Sequence, residues 1–215
     1  MIISPGRGYI FVHIPKTGGT SMALALEQRA HRDDILIGDT PKARARKGRL
    51  KRLAAGGRLW KHATLADIDG LLSAEELAAM FCFTLVRNPW DRMVSYYHWL
   101  RVRNFDHPAV ALARALPFDA FLAHPQTRAS LQAAPYGSYM RDAAGTERAS
   151  AFVRLEHLDS DMAPVARHLG FLPAIGRVNR SERQEDFRPY YTDRTAALVA
   201  GLCAEDISRF GYAFG

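Results

Sequence analysis

Four short runs of almost unbroken apolar residues punctuate the chain, and the segments between them carry helical patterning. YIFVHI (9–14), DILI (34–37) and FCFTLV (81–86) read as strands, and AFVRLE (151–156) as another short one. Strands that are apolar throughout have both faces buried, which points to a mostly parallel sheet covered by helices. The intervening pattern predicts helices over 20–30, over 65–80 as one or two pieces, and over 89–103, 117–123 and 159–169, with a final pair between 192 and 210. Ser73 and Glu76 have the spacing of a capping box. Asn88 followed by Pro89 reads as an N-cap and first helical residue, with Asp91 placed to complement the helix dipole. Residues 124–150 (HPQTRASLQAAPYGSYMRDAAGTERAS) have no clear period and read as irregular. The expected architecture is an α/β, three-layer sheet sandwich. Its 215 residues, 48% of them hydrophobic, suit a single domain over 1–215.

Charge alters this picture in one place. Nine of the 29 lysines and arginines fall between Lys42 and Lys61, where there is no acid; elsewhere 20 basic residues face 22 acidic ones. Thr40 and Pro41 resemble the start of a helix and Gly56-Gly57 its stop, so a very basic insertion is expected over about 40–60. It is either a solvated helix face or a funnel that concentrates an anionic partner. Apart from Trp60 it lacks interleaved aromatics, and it matches no nucleic-acid module, so no nucleic acid is expected. Cys82 and Cys203 have no CxxC or Cys/His neighbours and read as buried apolar residues; no metal is expected. No stretch approaches a membrane span or a signal peptide, and the expectation is a soluble, cytoplasmic protein.

The candidate chemistry begins where the first strand stops, at PKTGGTS (15–21). A strand ending near Ile14 and a helix beginning near Thr20 aim backbone N–H groups and a helix N-terminus at one point, an anion site. Gly18 and Gly19 allow close approach. Thr17, Thr20 and Ser21 offer hydroxyls, and Lys16 a mobile positive charge. A triphosphatase loop would place its lysine directly after the second glycine, where this chain has Thr20. The second segment is TLVRNPWDRMVSYY (84–97). Arg87 stands at the carboxyl end of a strand, the edge where such sheets bind ligands, and Ser95 lies two helical turns on. Two anion sites are thus expected in one crevice.

With these segments in hand, the sequence resembles the sulfotransferases that use 3′-phosphoadenosine 5′-phosphosulfate (PAPS), and within them the glycan O-sulfotransferase branch of heparan and chondroitin type. PKTGGTS resembles the family's 5′-phosphosulfate loop, and RNPWDRMVSYY its 3′-phosphate motif. KHATLADI (61–68), FVRLEHL (152–158), VNRSE (178–182) and the C-terminal YYTDRTAALVAGLCAEDISRFGYAF extend the likeness. The resemblance implies a P-loop-like fold, with PAPS as donor and its desulfated form, PAP, as product. It implies that Lys16 stabilises the leaving phosphate. Thr17, Gly18, Gly19, Thr20 and Ser21 would hold the 5′ end, Arg87 and Ser95 the 3′-phosphate, and Asn179 and Arg180 would close over the nucleotide. His62, after a strand between the two motifs, corresponds to the general base of the 2-O branch. The position that holds a glutamate base in another branch is Ala25 here. Arg58 and Lys61, leading into His62, are candidate acceptor contacts, and the acceptor implied is a carbohydrate, acidic if the basic segment steers it. The shorter chain without an anchor resembles a bacterial, soluble relative. His13, inside the first strand, reads as a buried, hydrogen-bonded residue. Glu156 reads as structural, and Trp90, Tyr96, Tyr97 and Trp99 as core or pocket wall. A P-loop kinase using ATP and a non-catalytic polyanion binder are the alternatives.

Overall fold

The computed structural model describes residues 1–176 and 183–215. In chain order its elements are β1 (Ile2–Ser4), β2 (Tyr9–Val12), α1 (Gly19–Glu27), β3 (Ile35–Leu36), α2 (Pro41–Leu50), α3 (Ala74–Ala79), β4 (Phe81–Val86), α4 (Pro89–Arg101), α5 (Pro108–Ala115), α6 (Phe118–Ala123) and α7 (Pro125–Gln132). They continue with β5 (Ala149–Arg154), α8 (Leu158–Asp161), α9 (Ala163–Leu169), α10 (Asp193–Leu202) and α11 (Ala204–Phe210). Single 3-10 turns lie at Ala66–Ile68 and Tyr136–Met140, among other places. The described residues form two compact units, one of residues 1–86 with 136–176 and one of 87–135 with 183–215.

The first unit contains the sheet, with strand order β3-β1-β2-β4-β5. β2, β4 and β5 run parallel, while β1 is antiparallel to both its neighbours, β2 and β3. Side chains alternate between the faces, as period 2 requires. Tyr9, Phe11, Phe83 and Leu85 pack with Met22, Ala23 and Leu26 of α1, Ala43 of α2 and Val165 and Leu169 of α9. Ile10, Val12 and Cys82 face the other way, onto Ala63, Leu65, Ile68 and Met140, with Leu77 of α3 at the margin. Both faces are therefore covered, the first by α1, α2 and α9 and the second by the segment around 63–68, the 3-10 turn at Tyr136–Met140 and the edge of α3. Thr84, fully buried in the middle of β4, avoids an orphaned hydroxyl by donating to the Val12 carbonyl at 2.8 Å.

The second unit is helical. Trp90, Met93, Val94, Tyr97 and Leu100 line one side of α4 and pack with Val110, Phe118, Phe121, Leu122 and Val199. The polar tips of its aromatics are bonded: Trp90 Nε1 donates to the Ala196 carbonyl at 3.0 Å and the Tyr97 hydroxyl to the Leu116 carbonyl at 2.8 Å.

Several expectations on element bounds change. Residues 124–150 are not uniformly irregular, because α7 starts on a His124 cap that accepts from Gln126 N–H, followed by Pro125. It buries only Thr127, so no apolar period betrays it. β1 carries too few residues to show one, while α5, which buries Val110 and Ala113 three positions apart, is an addition to the expected helices. The basic helix α2 starts as expected, with Thr40 Oγ1 accepting from Ala43 N–H, but stops at Leu50. Gly56 and Gly57 instead allow a close approach of two loops. Their N–H groups donate to Asp69 and Asp67 carbonyls, and a Cβ on Gly57 would lie 2.3 Å from an Asp67 carboxylate oxygen.

Candidate active site

The chain leaves β2 at Val12 and turns through Pro15–Gly18 into α1. Lys16 has φ 68°, the only positive φ outside glycine among the described residues. An L-residue there costs about 1–2 kcal/mol, strain of the kind that persists where surrounding structure dictates it. Gly18, the N-cap of α1, has φ 86°, and a Cβ on it would come within 2.9 Å of Leu155 Cδ1. A Cβ on Gly19 would sit 2.0 Å from His13 Cδ2, so the second glycine is there for the imidazole beneath it. The Thr17 side chain is buried and donates its hydroxyl proton to the Ile14 carbonyl at 2.9 Å. What Thr17 offers a ligand in this conformation is its backbone. Thr20 is half-buried and Ser21 buried, both in the first turn of α1. That turn holds no acidic residue, whereas α3 and α4 carry Glu75, Glu76 and Asp91 at the same place. α2, α5, α7 and α9 also lack a first-turn acid, so what marks this terminus is the cradle of glycines and N–H groups, which fits a phosphate.

His62 lies in a pinned segment. Ala63 N–H donates to the Trp60 carbonyl at 3.0 Å, Leu65 N–H to Tyr139 at 3.0 Å, and Thr64 N–H to the Asp67 carboxylate at 2.7 Å. The His62 Nδ1 is 2.7 Å from the backbone carbonyl of His13. A carbonyl only accepts, so Nδ1 carries the proton and neutral His62 keeps its lone pair on Nε2. Burial, partly offset by this bond, lowers the His62 pKa to about 4. The ring is uncharged at neutral pH, with the lone pair on Nε2 unprotonated. His13 packs edge-on to it, with ring centroids 4.6 Å apart. Burial holds the pKa of His13 well below the usual histidine range, with the neighbouring His62 adding to the effect. One buried imidazole thus touches both the glycine loop and the candidate base. Strand reading finds His13 as buried; its contact with His62, 49 positions away, has no signal in the sequence.

Around His62 the two nearby cations differ. Lys61 Nζ pairs with Asp39 at 2.6 Å. The Arg58 guanidinium lies over the Trp60 ring, 5.4 Å from its centroid, and Trp60 meets His62 edge-on at 5.1 Å. The basic side chains of α2, earlier in the chain, are partly committed to structure: Arg46 donates to the His31 carbonyl at 2.8 Å and Arg49 to that of Arg32 at 2.6 Å.

The second motif belongs to the helical unit. Asn88 caps α4, its Oδ1 accepting from Trp90 N–H at 3.1 Å, and Pro89 follows as expected. Arg87, directly after β4, places Nε 2.8 Å and a terminal nitrogen 2.6 Å from Asp91 Oδ2. Arg183 takes the other oxygen of the same carboxylate. Asp91 therefore does more than complement the helix dipole: it holds two guanidinium groups side by side. Ser95, one turn further along α4, is buried. Arg183 escapes sequence reasoning, although it stands just beyond VNRSE. Asn179 and Arg180 lie outside the described residues. Glu156 sits in a 3-10 turn after β5.

Among the described residues, no cluster of three or more His, Cys, Asp or Glu is placed to hold a metal ion, and no helix is long and apolar enough to cross a membrane. Cys82 and Cys203 are buried and unpaired with each other, and burial pushes both thiols up to about 11.

A family profile described as "Sulfotransferase family" matches residues 1–213. Among solved structures, the chain is similar to a mouse sulfotransferase, SULT7A1, crystallised with PAP, at 15% identity and a TM-score of 0.49. The match covers 94% of this chain and 84% of that one. No curated protein matches the sequence.

Proposed function

Because the chain belongs to the sulfotransferase family, we propose that it moves a sulfuryl group from PAPS to a hydroxyl of an acidic carbohydrate, as one domain spanning 1–215 and a cytoplasmic, bacterial member of the glycan O-sulfotransferase branch. The observation that carries this reading is the contact chain from Gly19 through His13 to His62, which sets a neutral imidazole beside a phosphate-shaped loop.

In the proposed reaction the acceptor oxygen attacks sulfur in line, and its proton passes to His62 Nε2. The bond from sulfur to the bridging oxygen breaks, and the electron pair goes to the 5′-phosphate of PAP. Lys16, already turned into its left-handed conformation, neutralises that charge, as cationic groups do in phosphoryl transfer. Backbone N–H groups of Thr17–Thr20 with the hydroxyls of Thr20 and Ser21 hold the 5′-phosphate. Arg87 and Ser95 hold the 3′-phosphate, and Asn179 and Arg180 contribute to nucleotide binding. No step calls for a metal.

Thermal melts with PAP and with ATP plus magnesium, followed by turnover of radiolabelled PAPS against a panel of oligosaccharides, test the reading. PAP should raise Tm and label should move to a sugar. Stabilisation by ATP alone, with phosphate rather than sulfate transferred, would replace this reading with a kinase.

A further inference from the structure

Exposed large apolar side chains are few among the described residues, and Trp60, 42% exposed, is the one that touches His62. Exposure of a single tryptophan needs no explanation in itself. Its company does: Arg58 lies over the ring and has no acidic partner among the described residues, while neighbouring Lys61 is already neutralised by Asp39. A guanidinium held against an aromatic ring loses little freedom when it binds, and its fork matches a carboxylate or sulfate ester with two parallel hydrogen bonds. The aromatic ring supplies what a sugar's apolar C–H side can rest on, with its polar edge left to other groups.

We propose that Arg58 and Trp60 form the acceptor-recognition element, with Arg58 pairing with the anionic group of an acidic sugar and Trp60 contacting the ring that presents its hydroxyl to His62. Lys61 has no direct part in reading the acceptor's charge. The inference rests on His62 being the base of the proposed reaction, and it narrows the charged determinant from a basic segment of nine residues to one arginine. It also separates steering from recognition. The cations of α2 act on encounter and are screened by salt, whereas a guanidinium preset on an aromatic ring acts in the bound complex.

Calorimetric binding in the presence of PAP, where no transfer occurs, tests it with three tetrasaccharides: a uronate-containing one, one without uronate that carries a sulfate ester, and unmodified maltotetraose. The unaltered protein should bind one or both acidic ligands at least tenfold more tightly than maltotetraose, and the stronger of the two identifies the anionic group. Arg58→Ala should abolish that preference, with PAP affinity unchanged, since losing a charged hydrogen bond is worth roughly tenfold or more. Trp60→Ala should weaken all three ligands. Arg103→Ala serves as control, because Arg103 sits over Trp99 at 4.8 Å in a similar pair on the helical unit. A preference that survives Arg58→Ala, is absent from the unaltered protein, or is lost equally in Arg103→Ala overturns the proposal. Failure to bind PAP would strike the sulfotransfer reading instead, and titrations without PAP would still report whether Arg58 reads an acidic sugar.

Discussion

His62 donates its Nδ1 proton to the main-chain carbonyl of His13 across 2.7 Å. Because the acceptor is backbone, no substitution of the His13 side chain removes it, and the tautomer of His62 is written into the path of the chain. His62→Ala should lower kcat by about 10²–10⁴-fold while PAP affinity stays within twofold. A kcat within tenfold of the unaltered protein would assign the base elsewhere. Since burial brings the pKa to about 4, the acidic limb of kcat/KM should lie near pH 4 rather than 6.5.

The same depressed pKa makes stability depend on pH. Between about pH 4 and 6.5 the unfolded chain binds a proton at His62 that the folded protein refuses, so stability rises with pH through that window and is complete above it. At pH 5 the penalty from His62 is about 2 kcal/mol relative to neutral pH. Urea unfolding at pH 5 and 7.5 should show His62→Asn losing about that much less than the unaltered protein. Glu27, whose burial raises its pKa, Asp161, held near 2 by Arg154, and His98, lowered by burial, cancel in this difference, whereas His13, whose pKa His62 lowers further, adds to it. Equal losses in both proteins would mean that His62 is solvated.

Lys16 offers a way to separate chemistry from strain. Both Lys16→Ala and Lys16→Gly remove the ammonium and should abolish most turnover. Only glycine relieves the φ of 68°, so Lys16→Gly should be about 1 kcal/mol more stable than Lys16→Ala by denaturant unfolding. Equal stabilities would show that the loop relaxes without cost.

Asp91 is the shared partner of two largely buried guanidinium groups, with side chains 14% exposed for Arg87 and 9% for Arg183. Asp91→Asn leaves both cations without their carboxylate, a change that costs about 2–4 kcal/mol in sites of this burial. PAP, bringing back negative charge, should then stabilise the variant more than the unaltered protein, measured as the shift in Tm. A loss under about 0.5 kcal/mol would reduce the trio to an ordinary surface ion pair.

What could be read in advance follows from how local each signal is. β4 matches the sequence reading residue for residue, and α4 begins at the expected Pro89, because an apolar run and an Asn-Pro cap are statements about neighbouring residues. The capping box of α3 forms with both its bonds for the same reason. β1 is only three residues long, and α7 is polar nearly all round, so neither shows a period. Proximity of His13 to His62, the inward turn of the Thr17 hydroxyl and the sharing of Asp91 by Arg183 are products of tertiary packing. Such contacts leave no mark on any one stretch of chain.

The outer strands of the sheet have one more consequence, for the behaviour of the protein in concentrated solution. β3 is two residues long, and β5 carries a register irregularity where Ser150 Oγ accepts from the Cys82 N–H in place of a regular ladder bond. A second molecule seeking to add its own strand meets a two-residue border at β3 and a bulged one at β5, two of the devices by which natural sheets discourage edge-to-edge polymerisation. Both borders of the sheet therefore carry features that disfavour strand addition, independently of anything the loops at its carboxyl end do.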